Sequence, residues 1–357
     1  MSVTSFLRNI INRFRTRRMY RTHFNSIDKM RESSSFVKLS YEQEEEIQNF
    51  YIRNFGRKIN LKWHEYFYYV NKEFSPKYIP TYIYYTHMYP KLNDPRIMVV
   101  YSDKNIIRKL IPDVNLPKTY VQCINGHYYI NDKISSFEEA VAVCNNLEDA
   151  VIKHSIDTCQ GKSVTRFSSN DGKVAGKDET VKDLLKSYKD NYIVQEAIRQ
   201  NSTMASLNPT SLNTIRIMTY WSQNDGIVVL FAVVRMGRSG AVVDNASAGG
   251  LYCGINPDGS LKEYAYTLHP FSRCDKSDSG ILFKEFKIPY FEELKKKARK
   301  MHENLPYAKV IGWDLSINDK DEIVLVEINA STPGLFQAAT GPAFGDYTEE
   351  ILSYTRF

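Results

Sequence analysis

Two stretches late in the chain constrain it more than any others: Gly312-Trp-Asp-Leu-Ser-Ile and, after a polar turn, Ile323-Val-Leu-Val-Glu-Ile-Asn329. Both are apolar runs of strand length broken by charge, and together they read as a β-hairpin. Side chains alternate along a strand, which puts Glu327 and Asn329 on one face together with Leu325. If 319–322 form the connecting loop, Asn318 pairs with Ile323, and the same register sets Asp314 opposite Glu327. Two carboxylates facing each other in apolar strands repel unless one is protonated or a cation lies between them. A hard divalent ion on Asp314, Glu327 and Asn329 resolves the conflict. Oxygen ligands with no His or Cys nearby favour Mg²⁺ or Mn²⁺ over zinc, and Mg²⁺ completes its shell with water and nucleotide phosphates. Carboxylates paired with buried arginines are the alternative.

Phosphate-binding candidates stand upstream. In Ala150-Val-Ile-Lys-His-Ser-Ile-Asp-Thr-Cys-Gln-Gly-Lys, Lys153 ends an apolar strand ahead of a loop centred on Gln160 and Gly161 and followed by Lys162. A buried lysine needs an anion, either a phosphate chain or a core carboxylate, and a Gly161 loop can fold its amides over the same oxygens. The spacing is not that of a P-loop. His154 beside it is read as a packing residue rather than a base. Tyr192-Ile-Val-Gln-Glu-Ala-Ile198 is a strand running into a loop, suited to offering Gln195, Glu196, Ala197 and Ile198 to an adenine edge. Arg216 and Arg235 both sit on β-like segments, and Asn245 lies with Gly249-Gly250 in a polar loop after them. Arginines projecting from strands make bidentate contacts with carboxylate or phosphate, so either can meet a γ-phosphate and stabilise its transfer. Ser331-Thr-Pro-Gly334 is a turn that brings backbone close to a ligand.

The rest of the chain sets the frame. Its 357 residues are 43% hydrophobic, enough for two or three cored lobes. Five scattered cysteines without a CxxC spacing suggest neither a disulfide framework nor zinc, and fit a reducing cytosol. The longest apolar run, 227–234, is far short of the ~20 residues of a membrane helix, and Arg8 and Arg13 break the run that would mimic a signal peptide. A soluble protein is expected. The net charge of +6 concentrates at the start, in Arg8, Arg13, Arg15, Arg17, Arg18 and Arg21. With Phe6, Leu7, Ile10, Ile11 and Phe14 at helical spacing, residues 1–21 read as a first helix packed on the fold or as a peripheral contact with an anionic membrane. No nucleic-acid module follows, and no nucleic-acid partner is expected.

Residues 1–91 are expected to form a basic, mainly helical accessory region, with Ser40 capping the helix that begins at Tyr41. Beyond them strands and helices alternate. Residues 96–101 read as a strand and 103–110 as a helix; strands follow at 128–130, 150–154, 192–197, 214–221, 227–236, 310–317 and 323–328. Helices are expected at 136–145, 181–188 and 291–304.

These residues resemble the ATP-grasp superfamily, most closely the branch described as sugar-transfer associated ATP-grasp. The likeness lies in Lys153, Gly161, Gln195-Glu196, the strand Ser211 to Ile217, the stretch Arg235 to Gly250 and the closing Gly312 to Asn329. Glu327-Ile-Asn-Ala-Ser-Thr-Pro-Gly-Leu335 is also similar to the closing motif of ribosomal-protein glutamate ligases. The resemblance implies an α+β fold in which two lobes clasp ATP: a pre-grasp segment and small lid lobe over 92–200, and a large lobe with the metal site over 201–357. It further implies phosphate contacts from Lys104 and Lys153, magnesium on Asp314, Glu327 and Asn329, and Arg235 and Asn245 facing the phosphoryl group and the acyl substrate. The implied activity is ATP-dependent carboxylate–amine ligation through an acyl phosphate, in surface polysaccharide or glycoconjugate synthesis, on a small-molecule or sugar-linked carboxylate and an amine. The expected location is the cytoplasm, including the inner face of the membrane. A kinase acting on a sugar hydroxyl and a nucleotide-binding scaffold without turnover are the rival readings.

Overall fold

The structure, a computed structural model, describes residues 27–32, 36–156, 164–238, 249–267, 272–331 and 334–357. The chain forms two compact units, Met1–Asp94 with Leu335–Phe357, and Pro95–Gly334.

The first unit is helical in its described residues. Helix Tyr41–Phe55 starts where its sequence says it should: the Ser40 side chain accepts the Gln43 N–H while the Gln43 side chain accepts that of Ser40. It ends at Gly56, whose φ of 89° is the left-handed turn that glycine takes without strain. Tyr51 on its buried face donates its hydroxyl to Tyr78 O at 2.6 Å, and Phe67 stacks on Tyr78 with centroids 4.7 Å apart. Gln337 ties the later segment of this unit to the earlier one. Its amide accepts from Ile79 N at 2.9 Å and donates to Ile79 O at 2.8 Å, so a buried polar side chain acts as one rung of a missing ladder.

The second unit is built on two antiparallel sheets. Its strands are β1 (Thr119–Ile124), β2 (His127–Ile130), β3 (Lys133–Ser135), β4 (Ala150–His154), β5 (Val164–Phe167), the ribbon β6 (Ser169–Asn170) and β7 (Lys173–Val174), β8 (Tyr192–Glu196), β9 (Thr214–Ser222), β10 (Gly226–Met236), β11 (Leu251–Ile255), β12 (Leu261–Tyr266), β13 (Arg273–Cys274), β14 (Val310–Ile317) and β15 (Ile323–Asn329). The six-stranded sheet runs β3-β2-β1-β8-β4-β5 and the seven-stranded sheet β13-β12-β11-β10-β9-β14-β15. Helices Phe137–Val143 and Val181–Ser187 contribute to the core of the first sheet, and helix Phe291–His302 covers β9, β10 and β14 of the second.

Residues 96–101 are not the strand expected from their apolar run but helix Pro95–Tyr101. Proline fits a first helical turn, and burial falls on Met98 and Tyr101, three apart, while Val99 and Val100 face outward at 42% and 48% exposure. The helix expected over 103–110 is confined to Ile107–Leu110; before it the Asp103 carboxylate accepts the Asn105 N–H and forms a turn instead.

Beneath the seven-stranded sheet a polar chain links strand to helix. Trp313 Nε1 donates to Thr219 Oγ1 at 2.8 Å, Thr219 Oγ1 bonds His302 Nδ1 at 2.8 Å, and His302 Nε2 lies 2.8 Å from Ala308 O. Burial, opposed only by that last bond, lowers the His302 pKa to about 4. Above pH 6.5 the ring is neutral folded and unfolded alike. Below it only the unfolded chain gains a proton, so stability falls as pH drops from about 6.5 towards 4. At pH 5 the loss from this residue is ~2 kcal/mol relative to pH 7. Urea unfolding of the wild type and His302→Gln at both pH values is expected to show a smaller acid-induced drop in the variant by about that amount.

Candidate functional site

A row of charge crosses the middle of the seven-stranded sheet. The register sets Arg216 of β9 opposite Asp314 of β14, and Asp314 opposite Glu327 of β15. On the other side Arg216 pairs with Val233 of β10, which puts Arg235, two residues on, on the same face. Arg216 grips both oxygens of Asp314, through Nε to Oδ1 and through Nη2 to Oδ2 at 2.9 Å. Arg235 Nη1 donates to Oδ2 at 3.0 Å and Asn329 Nδ2 to the same oxygen at 3.1 Å. Asp314 is 2% exposed. Burial alone would push its carboxyl up, but the charges of Arg216 and Arg235 and the bonds from Arg216 and Asn329 outweigh it and hold the pKa at about 2.

Glu327 is set apart from this group by its partner. Its Oε1 accepts from Lys104 Nζ at 2.9 Å, with Lys104 nearly buried and Glu327 about a third exposed. Lys104 arrives from outside the sheet, and its backbone N–H donates to Ser155 O just past the end of β4. On β4 itself stands Lys153. Burial first, and then the charge of Lys104, lower its pKa to about 8, with Glu327 and Asp314 pulling the other way. The end of a strand of the six-stranded sheet is therefore within electrostatic reach of the charged row in the other sheet.

The hairpin carrying Asp314 and Glu327 departs from its expected form. Ile317, not Asn318, pairs with Ile323, and Asn318 N donates to Glu322 O inside a longer turn. A slip of one residue would turn Glu327 away from Asp314. A bulge at Val326 restores the register, so Asp314 does oppose Glu327 and Gly312 opposes Asn329. Leu325, expected to share the face of Glu327 and Asn329, is buried where those two are partly exposed.

The facing carboxylates called for a cation, and the structure supplies protein cations, Arg216 and Arg235 at Asp314 and Lys104 at Glu327. The alternative of pairing with buried arginines is thus present in the geometry. Among the described residues no group of three or more His, Cys, Asp and Glu gathers as a metal site. Asp314, Glu327 and Asn329 carry oxygen donors, a type that suits Mg²⁺ rather than zinc.

The adenine candidates sit on β8, between β1 and β4. Glu196 pairs with Ala150 and Ile193 with Lys153, so Gln195 and Glu196 lie towards the far end of β4 from the lysine, about 10 Å along the strand. Gln195 is buried and donates to Thr119 Oγ1 at 3.2 Å. The Glu196 carboxylate accepts the Lys118 N–H at 2.8 Å, and Ala197 N donates to Asp149 O at 3.1 Å; Ile198 follows in the loop. His154 packs its ring 5.0 Å from that of Tyr188, in keeping with a packing role. Gln160, Gly161, Lys162 and Asn245, and the arm 1–21, lie outside the described residues.

Sequence reasoning missed the joint between the sheets. Gln200 Nε2 donates to Asn208 O and Ser211 O, and its Oε1 accepts from both the backbone and side-chain nitrogens of Asn213. Asn201 N donates to Ile317 O and Asp319 N to Arg199 O, so the segment leaving β8 is fastened to the turn of the β14–β15 hairpin. The only signal was the crowd of Asn, Gln and Ser between two strands, which also describes an ordinary loop.

The sequence matches the profile of the family described as sugar-transfer associated ATP-grasp over residues 84–351, and the chain belongs to that family. No curated protein matches it. Similar solved structures include the ATP-grasp ligase PsnB complexed with minimal precursor, Mg and ADP, at 12% identity and TM-score 0.42 over 74% of this chain and 62% of that one. They also include VanG D-Ala:D-Ser ligase from Enterococcus faecalis, at 13% and 0.40 over 71% and 60%, and D-alanine–D-alanine ligase from Bacillus anthracis, at 14% and 0.39 over 71% and 65%. The chain spans less than two thirds of the length of each of these. No helix among the described residues is long and apolar enough to cross a membrane.

Asp314 accepts from both arginines of the row, so Asp314→Asn keeps the shape and removes the negative charge that they share. A destabilisation of about 3–5 kcal/mol is expected in urea unfolding.

Proposed function

We propose that the chain is an ATP-dependent carboxylate–amine ligase that forms an amide through an acyl phosphate. The observation that carries the reading is the charge at the junction of the two sheets. Among the described residues, Lys104 bonds Glu327, Arg216 and Arg235 bond Asp314, and Lys153 lies within electrostatic reach of both carboxylates. Cations fixed close together attract a further anion, and a polyphosphate chain is the anion the family implies. Gln195, Glu196, Ala197 and Ile198 would take the adenine, at the other end of the strand pair from Lys153.

In this reading Lys104 and Lys153 hold the phosphates, with Gln160, Gly161 and Lys162 as further phosphate-binding candidates. Arg216 and Arg235 keep fixed positive charge where the phosphoryl group transfers, and Asn245 meets the acyl substrate. Mg²⁺, with Mn²⁺ as substitute, would be held by Glu327, Asn329 and Asp314, and when bound it neutralises phosphate charge. The carboxylate oxygen attacks the γ-phosphorus and ADP leaves; the amine nitrogen then attacks the acyl carbon, loses its proton, and phosphate leaves. Positioning and charge stabilisation supply such catalysis without a protein nucleophile. The family's description as sugar-transfer associated supports a sugar-linked carboxylate in polysaccharide or glycoconjugate synthesis.

The test is ADP release against panels of sugar acids and amines, with mass spectrometry of the products. Product with a new amide and one ADP per bond is expected. ADP release that needs an alcohol and no amine would make the protein a kinase, and magnesium-dependent ADP binding with no turnover a scaffold. Glu327→Ala is expected to lower turnover about a hundredfold or more.

Lys153 gives the same reading a pH signature. Its pKa of about 8 must rise when a phosphate approaches, so binding at pH 8–9 takes up a proton and weakens as pH rises, up to about tenfold per unit. Calorimetry of Mg²⁺ and ADP in buffers of different ionisation enthalpy is expected to detect that uptake in the wild type and to lose it in Lys153→Met.

A further inference from the structure

Gly312 stands inside β14, every residue of which is buried, in the row next to Asp314 and on the same face. Glycine weakens a strand interior, so its presence needs a reason. Backbone conformation is not the reason. Gly312 is absent from the glycines of positive φ, and its regular pairing with Met218 and Asn329 is one that any residue can adopt. Space is. A Cβ built on Gly312 would lie 3.1 Å from Arg216 Cδ, 3.5 Å from Arg216 Nε and 3.4 Å from Asn329 Cβ. The stem of Arg216 therefore crosses over Gly312 on its way to Asp314, and Asn329, which donates to the same carboxylate, closes the other side of the notch. Arg216, the nearer neighbour, has little room to withdraw. Arg216 is 5% exposed and its guanidinium is held at two points by Asp314.

We infer that Gly312 is a positioning residue: the missing side chain leaves the channel through which Arg216 reaches Asp314, and so sets where the guanidinium of Arg216 stands at the reacting phosphoryl group. The inference rests on the proposed ligase reading for its last step and on steric contact alone for the first. A methyl group at 312 displaces Arg216 by a few tenths of an ångström and meets Asn329 at about ordinary contact distance. Lys104, Lys153 and the β8 segment supply none of the three atoms nearest that Cβ, and they are expected to stay where they are.

The experiment is a double-mutant cycle on the full chain, with Gly312→Ala, Arg216→Ala and the pair, read by thermal melting, by calorimetric titration with Mg²⁺ and ADP, and by ADP release. In the Arg216 protein, Gly312→Ala is expected to lower turnover about tenfold or more while ADP affinity stays within about twofold. It also lowers the melting temperature, and that decrease shrinks to within ~1 °C in the Arg216→Ala background, where the methyl group meets no stem. Equal decreases in both backgrounds, or wild-type turnover in a folded Gly312→Ala protein, would overturn the assignment. Should Arg216→Ala fail to fold, Gly312→Ala and Gly312→Val compared in the Arg216 protein decide: graded loss of turnover with retained ADP affinity supports it, and parallel loss of both removes it. If the wild type itself turns over no ATP, the ligase reading fails while the melting cycle still judges the contact.

Discussion

Asp314 is a charged group with 2% of its surface in water, and the seven-stranded sheet is arranged around keeping it so. A carboxylate in that position stays ionised only if cations and donors saturate it, and the saturating groups come from three other strands: Arg216 from β9, Arg235 from β10 and Asn329 from β15. Each strand must then sit in one register, because a slip of one residue would exchange a charged side chain for an apolar neighbour. Ion pairs across β10, β9 and β14, with the Asn329 hydrogen bond from β15, thus fix the sheet more narrowly than its apolar content, which tolerates exchange among Val, Ile and Leu. The bulge at Val326 is the local adjustment that lets β15 meet this demand despite its longer turn.

How much of this can be read in the sequence depends on distance along the chain. Hairpin partners fifteen residues apart or fewer are legible, and Asp314 opposite Glu327 follows from apolar patterning and a turn; even so, the turn is longer than expected and only the bulge makes the pairing hold. Arg216 and Arg235 were visible as strand arginines suited to an anion. That the anion is Asp314, nearly a hundred residues later, depends on β9 lying beside β14, which no local period encodes. The sequence therefore offers a divalent cation first and buried arginines second, and the fold places two arginines on Asp314. The helix Pro95–Tyr101 shows the opposite failure: its β-branched run imitates a strand, and only tertiary burial of Met98 and Tyr101 decides for helix.

The same helix also explains how the edge of the sheet is managed. β15 is terminal, and an uncovered edge offers unpaired backbone groups to other chains. Here Asn115 O accepts the Leu325 N–H, Asn115 Nδ2 donates to Ile323 O, and Ser331 bonds both Ser102 Oγ and Met98 O. The segment 98–115 is thereby laid along β15, and Lys104 in its middle is delivered to Glu327. One stretch of chain protects the edge and completes the charged row, which is why its polar residues fall where a plain α/β pattern has no use for them.

Buried ion pairs are a poor means of gaining stability, since desolvation cancels much of the Coulomb attraction and apolar side chains of similar volume do as well or better. The row of Arg235, Arg216, Asp314, Glu327 and Lys104 is therefore hard to understand as a device for folding. What it does provide is a set of full charges whose directions are settled before any ligand arrives. In a site of low dielectric such charges act strongly and need no reorganisation when a phosphoryl group develops charge. A cation on a flexible surface arm would have to be ordered at that moment, at the expense of side-chain entropy. The departures from local rule in this unit, the facing carboxylates, the bulge and a glycine in a buried strand, lie within one row of each other. Departures gathered so closely are hard to explain by packing alone and fit the proposed role of this row in binding a phosphate chain.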